Sequence, residues 1–172
     1  VRAIGIVDMN VVCWNWGTGA QMFRIQNNFL HRRQRVTCLE IRQDAPLVVA
    51  GFMDGHVAQW SIRPGSRGKV VETLLGHEYG IVALRIDHRA GVLFSLDEHA
   101  KLRCWDVDKG VLMHSLDLDA DLEEEESQRM WTPLEITKSH CRLDLSYVKG
   151  RCVLVVRTQR HQEKVIESLT HR

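Results

Sequence analysis

Two groups of residues in the sequence could perform chemistry. His140, Cys141, Cys152 and His161 are side chains of the kinds that bind zinc, and Asp97 and His99 could form an acid–base pair. The spacing of the first group matches no common zinc pattern, and Cys152 lies in an apolar run. The sequence contains no serine-centred nucleophile elbow, phosphate-binding glycine loop or His-Glu-x-x-His motif. We therefore expect no catalytic residues, no metal, no cofactor and no small-molecule substrate.

Composition narrows the class of protein further. The chain has 172 residues, 44% of them hydrophobic, which is enough for one domain with a sizeable core. A net charge of +1 gives no overall field that would attract nucleic acid or an anionic membrane. The sequence has no apolar run of the roughly 20 residues that a membrane span needs, and its first residues do not read as a signal peptide. The five cysteines are widely spaced and odd in number, which favours reduced thiols and an intracellular protein, cytoplasmic or nuclear.

The sequence contains a repeat, and its units are the structural elements that would position any site. Trp14, Trp60 and Trp105 follow one another at intervals of 46 and 45 residues. With Trp60 and Trp105 aligned, "VTCLEI" lies opposite "IVALRI", "LVVAG" opposite "VLFSL", and "HVAQWS" opposite "KLRCWD". The runs "VVETLL" and "VLMHSL" follow these tryptophans after a turn. Each unit offers four runs of about five residues, rich in Val, Ile, Leu and Thr and separated by Gly, Asp or Pro. This pattern predicts an all-β protein made of blades of four short antiparallel strands.

The segment "GHEYGIVALRIDHRAGVLFSLDEHAKLRCWD" resembles a repeat of the WD-repeat β-propeller family, because Gly-His stands at its start and Trp-Asp at its end. The resemblance implies a buried hydrogen-bonded group in which His77, Ser95 and Trp105 match the family pattern. The acid position, six residues before the tryptophan, is occupied by His99, although Asp97 is close by. That departure predicts a weakened network.

The other two repeats depart from the pattern in different places. Asp54 stands six residues before Trp60 and Asp8 six residues before Trp14, so the resemblance assigns these four residues to the same kind of network. In the second repeat, Arg32 and Ala50 occupy the positions of the histidine and the serine. The physical role expected of each tryptophan is structural, since a flat indole on the third strand fills the gap between adjacent sheets.

The repeats divide the chain into five parts. We expect a partial blade at 1–30 that begins at its second strand, blades at 31–75 and 76–116, an acidic insertion at 117–130 and a degenerate blade at 131–172. About four blades are fewer than most family members have, and an open arc would expose the apolar faces of its end blades. The expected architecture is therefore a partial propeller, either a fragment or an arc completed by another chain.

The family resemblance implies a scaffold or adaptor that binds protein subunits of a larger assembly. By position, the protein-binding candidates are Arg33, Gln34, Met53, Tyr79 and Glu98. Two alternatives stay open. The basic segment 31–35, with Arg32, Arg33 and Arg35, could bind RNA in a ribonucleoprotein, or the blades could serve as the substrate-recognition module of a ubiquitin-ligase-type adaptor.

Overall fold

The computed structural model describes residues 2–8, 10–25, 35–42, 44–118, 142–148, 151–157 and 163–167, and these contain fourteen β-strands and no helix. In chain order the strands are β1 (Arg2–Val7), β2 (Asn10–Asn15), β3 (Gln21–Ile25), β4 (Val36–Arg42), β5 (Leu47–Phe52), β6 (Val57–Ser61), β7 (Val70–Leu74), β8 (Ile81–Asp87), β9 (Val92–Asp97), β10 (Lys101–Asp106), β11 (Val111–Asp117), β12 (Arg142–Val148), β13 (Arg151–Arg157) and β14 (Glu163–Glu167).

The strands form four antiparallel sheets in which each strand pairs with its neighbour in sequence. The second sheet has the order β4-β5-β6-β7 and the third β8-β9-β10-β11, whereas the described residues supply three strands to the first sheet, β1-β2-β3, and three to the fourth, β12-β13-β14. Trp14, Trp60 and Trp105 lie on β2, β6 and β10. β1 therefore corresponds to the second strand of the complete sheets.

The sheets follow one another along an arc. β4 lies beside β8, and β8 lies beside β12, so the first strands of successive sheets are neighbours. The sheets do not close into a ring within the described parts of the chain. The prediction of an all-β partial propeller with four-stranded blades is confirmed. Residues 119–130 of the acidic insertion and Trp131 lie outside the described residues.

The core consists of apolar layers between successive sheets. Trp60 packs with Val11 and Phe23 of the first sheet, and Trp105 packs with Val49 and Leu74 of the second. A third layer joins the third and fourth sheets through residues that include Leu102, Leu118, Leu143 and Leu154. Each of these two tryptophans is 2% exposed and fills the gap to the preceding sheet, as expected of a flat side chain on the third strand.

Every tryptophan strand carries a β-bulge against the outermost strand of its sheet. The pairing shifts register between Cys13 and Trp14, between Gln59 and Trp60, and between Cys104 and Trp105. The outer strand contains one extra residue at each shift, namely Met22, Val71 and Met113. All three extra side chains are apolar and exposed.

The turn before β6 shows why glycine stands there. Gly55 has a φ of 85°, and a Cβ at this position would lie 2.5 Å from the carbonyl oxygen of His77 in the β7–β8 connection. Ala100 occupies the corresponding place before β10, five residues ahead of its tryptophan, and has a φ of 60°. The chain thus uses the left-handed region at this turn whether or not the residue is glycine.

No helix in the described residues is long and apolar enough to cross a lipid bilayer.

Candidate functional site

The antiparallel strands place the connections at two opposite ends of the sheets. At the upper end, the β9–β10 turn meets the β7–β8 connection, where the Glu98 amide donates to the carbonyl of Gly80 at 2.9 Å. At the lower end, the β6–β7 connection meets the β4–β5 turn, where the Ile62 amide donates to the carbonyl of Pro46 at 2.9 Å. We use "upper end" and "lower end" in this sense below.

A buried hydrogen-bonded group supports the upper end of the third sheet. Nδ1 of His77 lies 2.7 Å from Oδ2 of Asp97, and Nε2 lies 2.7 Å from Oγ of Ser95. The indole N–H of Trp105 donates to the same Ser95 oxygen at 2.8 Å. A neutral His77 with its proton on Nδ1 satisfies all of these contacts, because the Ser95 hydroxyl then donates to Nε2. The group ties the β7–β8 connection to β9 and β10.

The acid of this group is Asp97 and not the residue at the family position. The sequence placed His99 there and predicted a weakened network, but β9 extends as far as Asp97 and directs this side chain to the same face as Ser95, two residues earlier. The other carboxylate oxygen of Asp97 accepts the backbone N–H groups of His99 and Lys101 at 2.9 and 3.0 Å. The network is therefore complete.

Ser95, His77 and Asp97 make the same hydrogen-bond contacts as the members of a catalytic triad. A nucleophile must reach its substrate, however, and Ser95 is 0% exposed while its oxygen already accepts the Trp105 N–H. The arrangement is structural, since no carbonyl group outside the protein can approach the hydroxyl.

The first and second sheets do not contain a corresponding network among their described residues. The side chain of Asp8 is 84% exposed and lies 3.7 Å from Arg24, so the assignment of Asp8 to a buried group with Trp14 is wrong. Oδ1 of Asp54 accepts the N–H of His56 at 3.3 Å, and Oδ2 lies 3.0 Å from Nδ1 of the same residue.

Trp60 is held by packing, and its ring meets that of Phe52 edge to face at 5.7 Å. The alanine at the serine position of this repeat, Ala50, has no hydroxyl that could bind the indole.

The upper end brings three of the predicted binding residues together. Met53 is 57% exposed, and Tyr79 is 42% exposed, with its ring stacked on that of His99 at 3.5 Å between centroids. Glu98 lies next to His99 and is half-buried. The amide of Met53 donates to the carbonyl of Arg35 at 3.0 Å, which places Arg35 at the edge of the same surface. We call Arg35, Met53, Tyr79, Glu98 and His99 the upper surface.

Backbone contacts fix the two halves of the upper surface relative to each other. A Cβ on Gly80 would lie 2.9 Å from the carbonyl oxygen of Met53, and a Cβ on Gly55 would lie 2.5 Å from that of His77 and 2.9 Å from that of Tyr79. The turns of the second sheet thus pack directly on the connection of the third. Arg32, Arg33 and Gln34, which the sequence also proposed, lie outside the described residues.

The upper surface contains side-chain types that are enriched at protein interfaces, such as Met, Tyr and Arg. It combines a thioether, a phenol and an imidazole with one guanidinium and one carboxylate, which are groups that bind peptide side chains and backbone. Nowhere in the described ranges do three His, Cys, Asp or Glu side chains come together in a way that could hold a metal ion. Most of the zinc set weighed from the sequence lies outside those ranges.

Contacts at the lower end were not predictable from motifs. The guanidinium of Arg42 is 7% exposed and binds Asp44 of its own sheet and, at 2.9 Å, Asp108 of the third sheet. This hydrogen bond from Arg42 lowers the pKa of Asp44 from 3.8 to about 2. Arg42 and Asp108 are 66 positions apart in a sequence that contains many other charged residues. Their spacing therefore gives no indication that the two side chains form an ion pair.

Comparisons with known proteins agree with this architecture. No family model matches the chain. Over 73 residues, 42% of the chain, the sequence is 36% identical to the WD repeat and FYVE domain-containing protein 2 of Caenorhabditis briggsae, and the match spans 17% of the length of that protein. The fold is similar to the crystal structure of the RRP9 WD40 repeats, with a TM-score of 0.63 and 15% identity over 92% of this chain and 44% of the other.

Proposed function

Because the sheets of this chain are blades of the WD-repeat β-propeller type, we propose that the chain is a non-catalytic scaffold or adaptor that binds protein partners through the upper surface. The observation that carries the proposal is the stacked pair of Tyr79 and His99 beside Met53. Exposed aromatic and thioether side chains offer a large apolar area for contact with a partner protein. A turn that only faces solvent does not require such side chains.

The rigidity of the surface supports the same function. Binding costs conformational entropy for every loop that must be ordered, and the turns here are already bound to one another by backbone hydrogen bonds and close packing. The buried group of His77 and Asp97 holds the connection that carries Tyr79. A partner therefore meets a surface that needs little rearrangement.

The assignment as a non-enzyme is part of the proposal. Propellers of this type are generally non-catalytic, and the one triad-like group in the described residues is inaccessible. We also propose an intracellular location. The odd number and wide spacing of the five cysteines support this location. Burial raises the pKa of the Cys38 thiol to about 12, which keeps this one cysteine unreactive.

The two alternative functions have no specific observation in their favour. Of the three arginines that would bind RNA, only Arg35 is described, and it is exposed at the rim of the upper surface. The described strands contain no additional recruitment element of the kind that a ubiquitin-ligase adaptor would use.

Site-specific photo-crosslinking tests the proposal. A photoreactive phenylalanine derivative replaces Met53 in one variant and Trp16 in the other, since Trp16 is 73% exposed but lies at the lower end. After crosslinking in cells, we expect the Met53 variant to capture a defined protein that the Trp16 variant does not, and Tyr79→Ala in the same chain to abolish the adduct. The purified partner should then bind the unmodified chain and bind the Tyr79→Ala variant at least tenfold more weakly. Adducts of the same partner in equal yield at both positions, or unchanged affinity, would contradict the assignment of this surface.

A further inference from the structure

The connection between β6 and β7 differs from its counterparts in the neighbouring sheets. It runs through residues 62–69, "IRPGSRGK", and carries three cations, Arg63, Arg67 and Lys69, without an acid. The corresponding connection of the first sheet, 16–20, has no charged residue, and that of the third, 107–110, has one lysine beside an aspartate. The second sheet therefore has a longer lower-end connection with a concentrated positive charge. We call residues 62–69 the basic loop.

The basic loop is held in one conformation. The hydroxyl groups of Ser61 and Ser66 hydrogen bond at 2.7 Å, and Ser61 is buried at the end of β6. The Ser66 amide donates to the carbonyl of Arg63 at 3.2 Å, and the Lys69 amide donates to the carbonyl of Ser66 at 3.1 Å. The guanidinium of Arg67 lies 4.9 Å from the ring centroid of Phe23 in the first sheet. These contacts order the backbone and one of the cations before any ligand arrives.

None of the three cations forms an ion pair with a carboxylate of the described residues. Some other cations of this chain do form ion pairs: Arg42 binds Asp44 and Asp108, and Lys109 binds Asp106 at 2.8 Å. Arg63, Arg67 and Lys69 are all exposed. The loop thus presents several N–H donors and three positive charges to solvent, and none of them is neutralised by a carboxylate in the part of the chain that the structure describes.

We propose that the basic loop binds an acidic peptide segment of a partner protein. A run of carboxylates supplies closely spaced negative charges that match three cations within seven residues, and arginine donors bind carboxylates in a bidentate manner. A short peptide fits better than nucleic acid, because the net charge of +1 supplies no extended positive field beyond the loop. This second interaction surface lies at the lower end and does not depend on the function proposed for the upper end.

Binding of a labelled peptide of ten glutamates to the whole chain, followed by fluorescence anisotropy, tests the proposal. A peptide of ten glutamines serves as the uncharged probe. The Arg63→Gln/Arg67→Gln/Lys69→Gln variant should bind the glutamate peptide roughly tenfold more weakly, since each exposed charge pair contributes about twofold. Binding of the unmodified chain should also weaken as salt rises from about 50 to 300 mM, because exposed charge pairs are screened.

A matched control separates loop recognition from net charge. The Arg63→Gln/Lys69→Gln variant leaves the Arg67–Phe23 contact in place, and Arg24→Gln/Lys109→Gln removes the same charge from two exposed cations that already have acidic partners. We expect a loss of affinity of about fourfold in the first variant and less than twofold in the second, with unchanged melting temperatures. Equal losses in both variants, or equal binding of the glutamate and glutamine peptides, would overturn the proposal. An RNA oligonucleotide that binds through the same residues ten times more tightly would overturn it in favour of nucleic acid.

Discussion

The side-chain amide of Gln59 donates a hydrogen bond of 2.9 Å to the backbone carbonyl of Val107, and this bond joins the second sheet to the third inside the protein. Gln59 is 1% exposed and Val107 is 2% exposed. A buried amide of this kind is rarely tolerated without a partner, so its presence marks a contact between blades that depends on polarity as well as on apolar packing.

Replacement of Gln59 by Met should lower the free energy of unfolding, although it makes the core more apolar. The change leaves the carbonyl of Val107 buried without its donor, which costs about 1 to 3 kcal/mol in the free energy of unfolding. Urea denaturation monitored by tryptophan fluorescence measures this loss. The exposed Gln21→Met provides the control, with an expected change within about 0.5 kcal/mol. An equal effect of the two substitutions would show that the Gln59 bond does not stabilise the fold.

Substitution of Ser95 by Ala should destabilise the third sheet. The change removes the partner of both Nε2 of His77 and the indole of Trp105, and leaving these groups buried costs about 2 to 3 kcal/mol. Denaturation midpoints and the emission wavelength of the tryptophans report the loss. Ser115, which is exposed on β11, is the matched site, and Ser115→Ala should leave both readouts unchanged. A stable Ser95→Ala variant would show that packing alone holds Trp105.

Equivalent turn positions should differ in how strongly an exchange between glycine and alanine affects stability. In Gly55→Ala, the new methyl group meets the carbonyl oxygen of His77 at 2.5 Å and the backbone keeps a φ of 85°, so we expect a loss of about 2 kcal/mol or more. In Ala100→Gly, relief of the left-handed strain offsets the loss of a buried methyl group, and the change should stay within about 1 kcal/mol. Melting temperatures distinguish the two. Similar shifts in both variants would contradict this account.

Two carboxylates of the second sheet should give opposite pH dependences. The Arg42 hydrogen bond lowers the pKa of Asp44 from 3.8 to about 2, so its contribution to stability is complete above the ordinary value and is lost as the pH falls towards 2. Burial raises the pKa of Glu40 above 4.5 despite the nearby Arg85, so its ionised form disfavours folding at neutral pH and this effect disappears as the pH falls through the raised value.

The corresponding variants test these signs. Asp44→Asn should lower the denaturation midpoint at pH 7 by an amount that shrinks between pH 4 and pH 3, while Glu40→Gln should raise the midpoint at pH 7. Urea titrations at a series of pH values provide the measurement. A Glu40→Gln variant that is less stable than the natural chain at pH 7 would show that the ion pair with Arg85, at 3.6 Å, outweighs the cost of burial.

The strands were predictable because their signal is local. The apolar runs around Trp60 and Trp105 end within one residue of β4, β5, β6 and β7 and of their counterparts β8 to β11, since turn residues bound each run and three tryptophans fix the register. The acid of the hydrogen-bonded group was misplaced because counting back from Trp105 ignores where β9 ends. The two-residue alternation from Ser95 to Asp97 along β9 was the available signal.

Contacts between sheets were not predictable from one sequence. The stacking of Tyr79 on His99 joins two separate connections, and the bond from Gln59 to Val107 joins β6 to the β10–β11 connection. The positions of these residues depend on how the chain packs in three dimensions. No spacing rule links such pairs, whereas the repeat itself follows from spacing alone. The sequence nevertheless singled out Met53, Tyr79 and Glu98, because the family pattern identifies which turns share an end of the sheets.

The bulge that accompanies each tryptophan bears on how the chain avoids self-association. The outer strands β3, β7 and β11 are edges whose backbone groups could pair with a foreign strand, and several of their side chains are apolar and exposed. The extra residue in each, Met22, Val71 or Met113, interrupts the regular two-residue repeat and increases the local twist. An intruding strand would have to accommodate this irregularity in order to pair along the whole edge. The irregularity next to each tryptophan therefore protects the rim of the molecule from edge-to-edge aggregation.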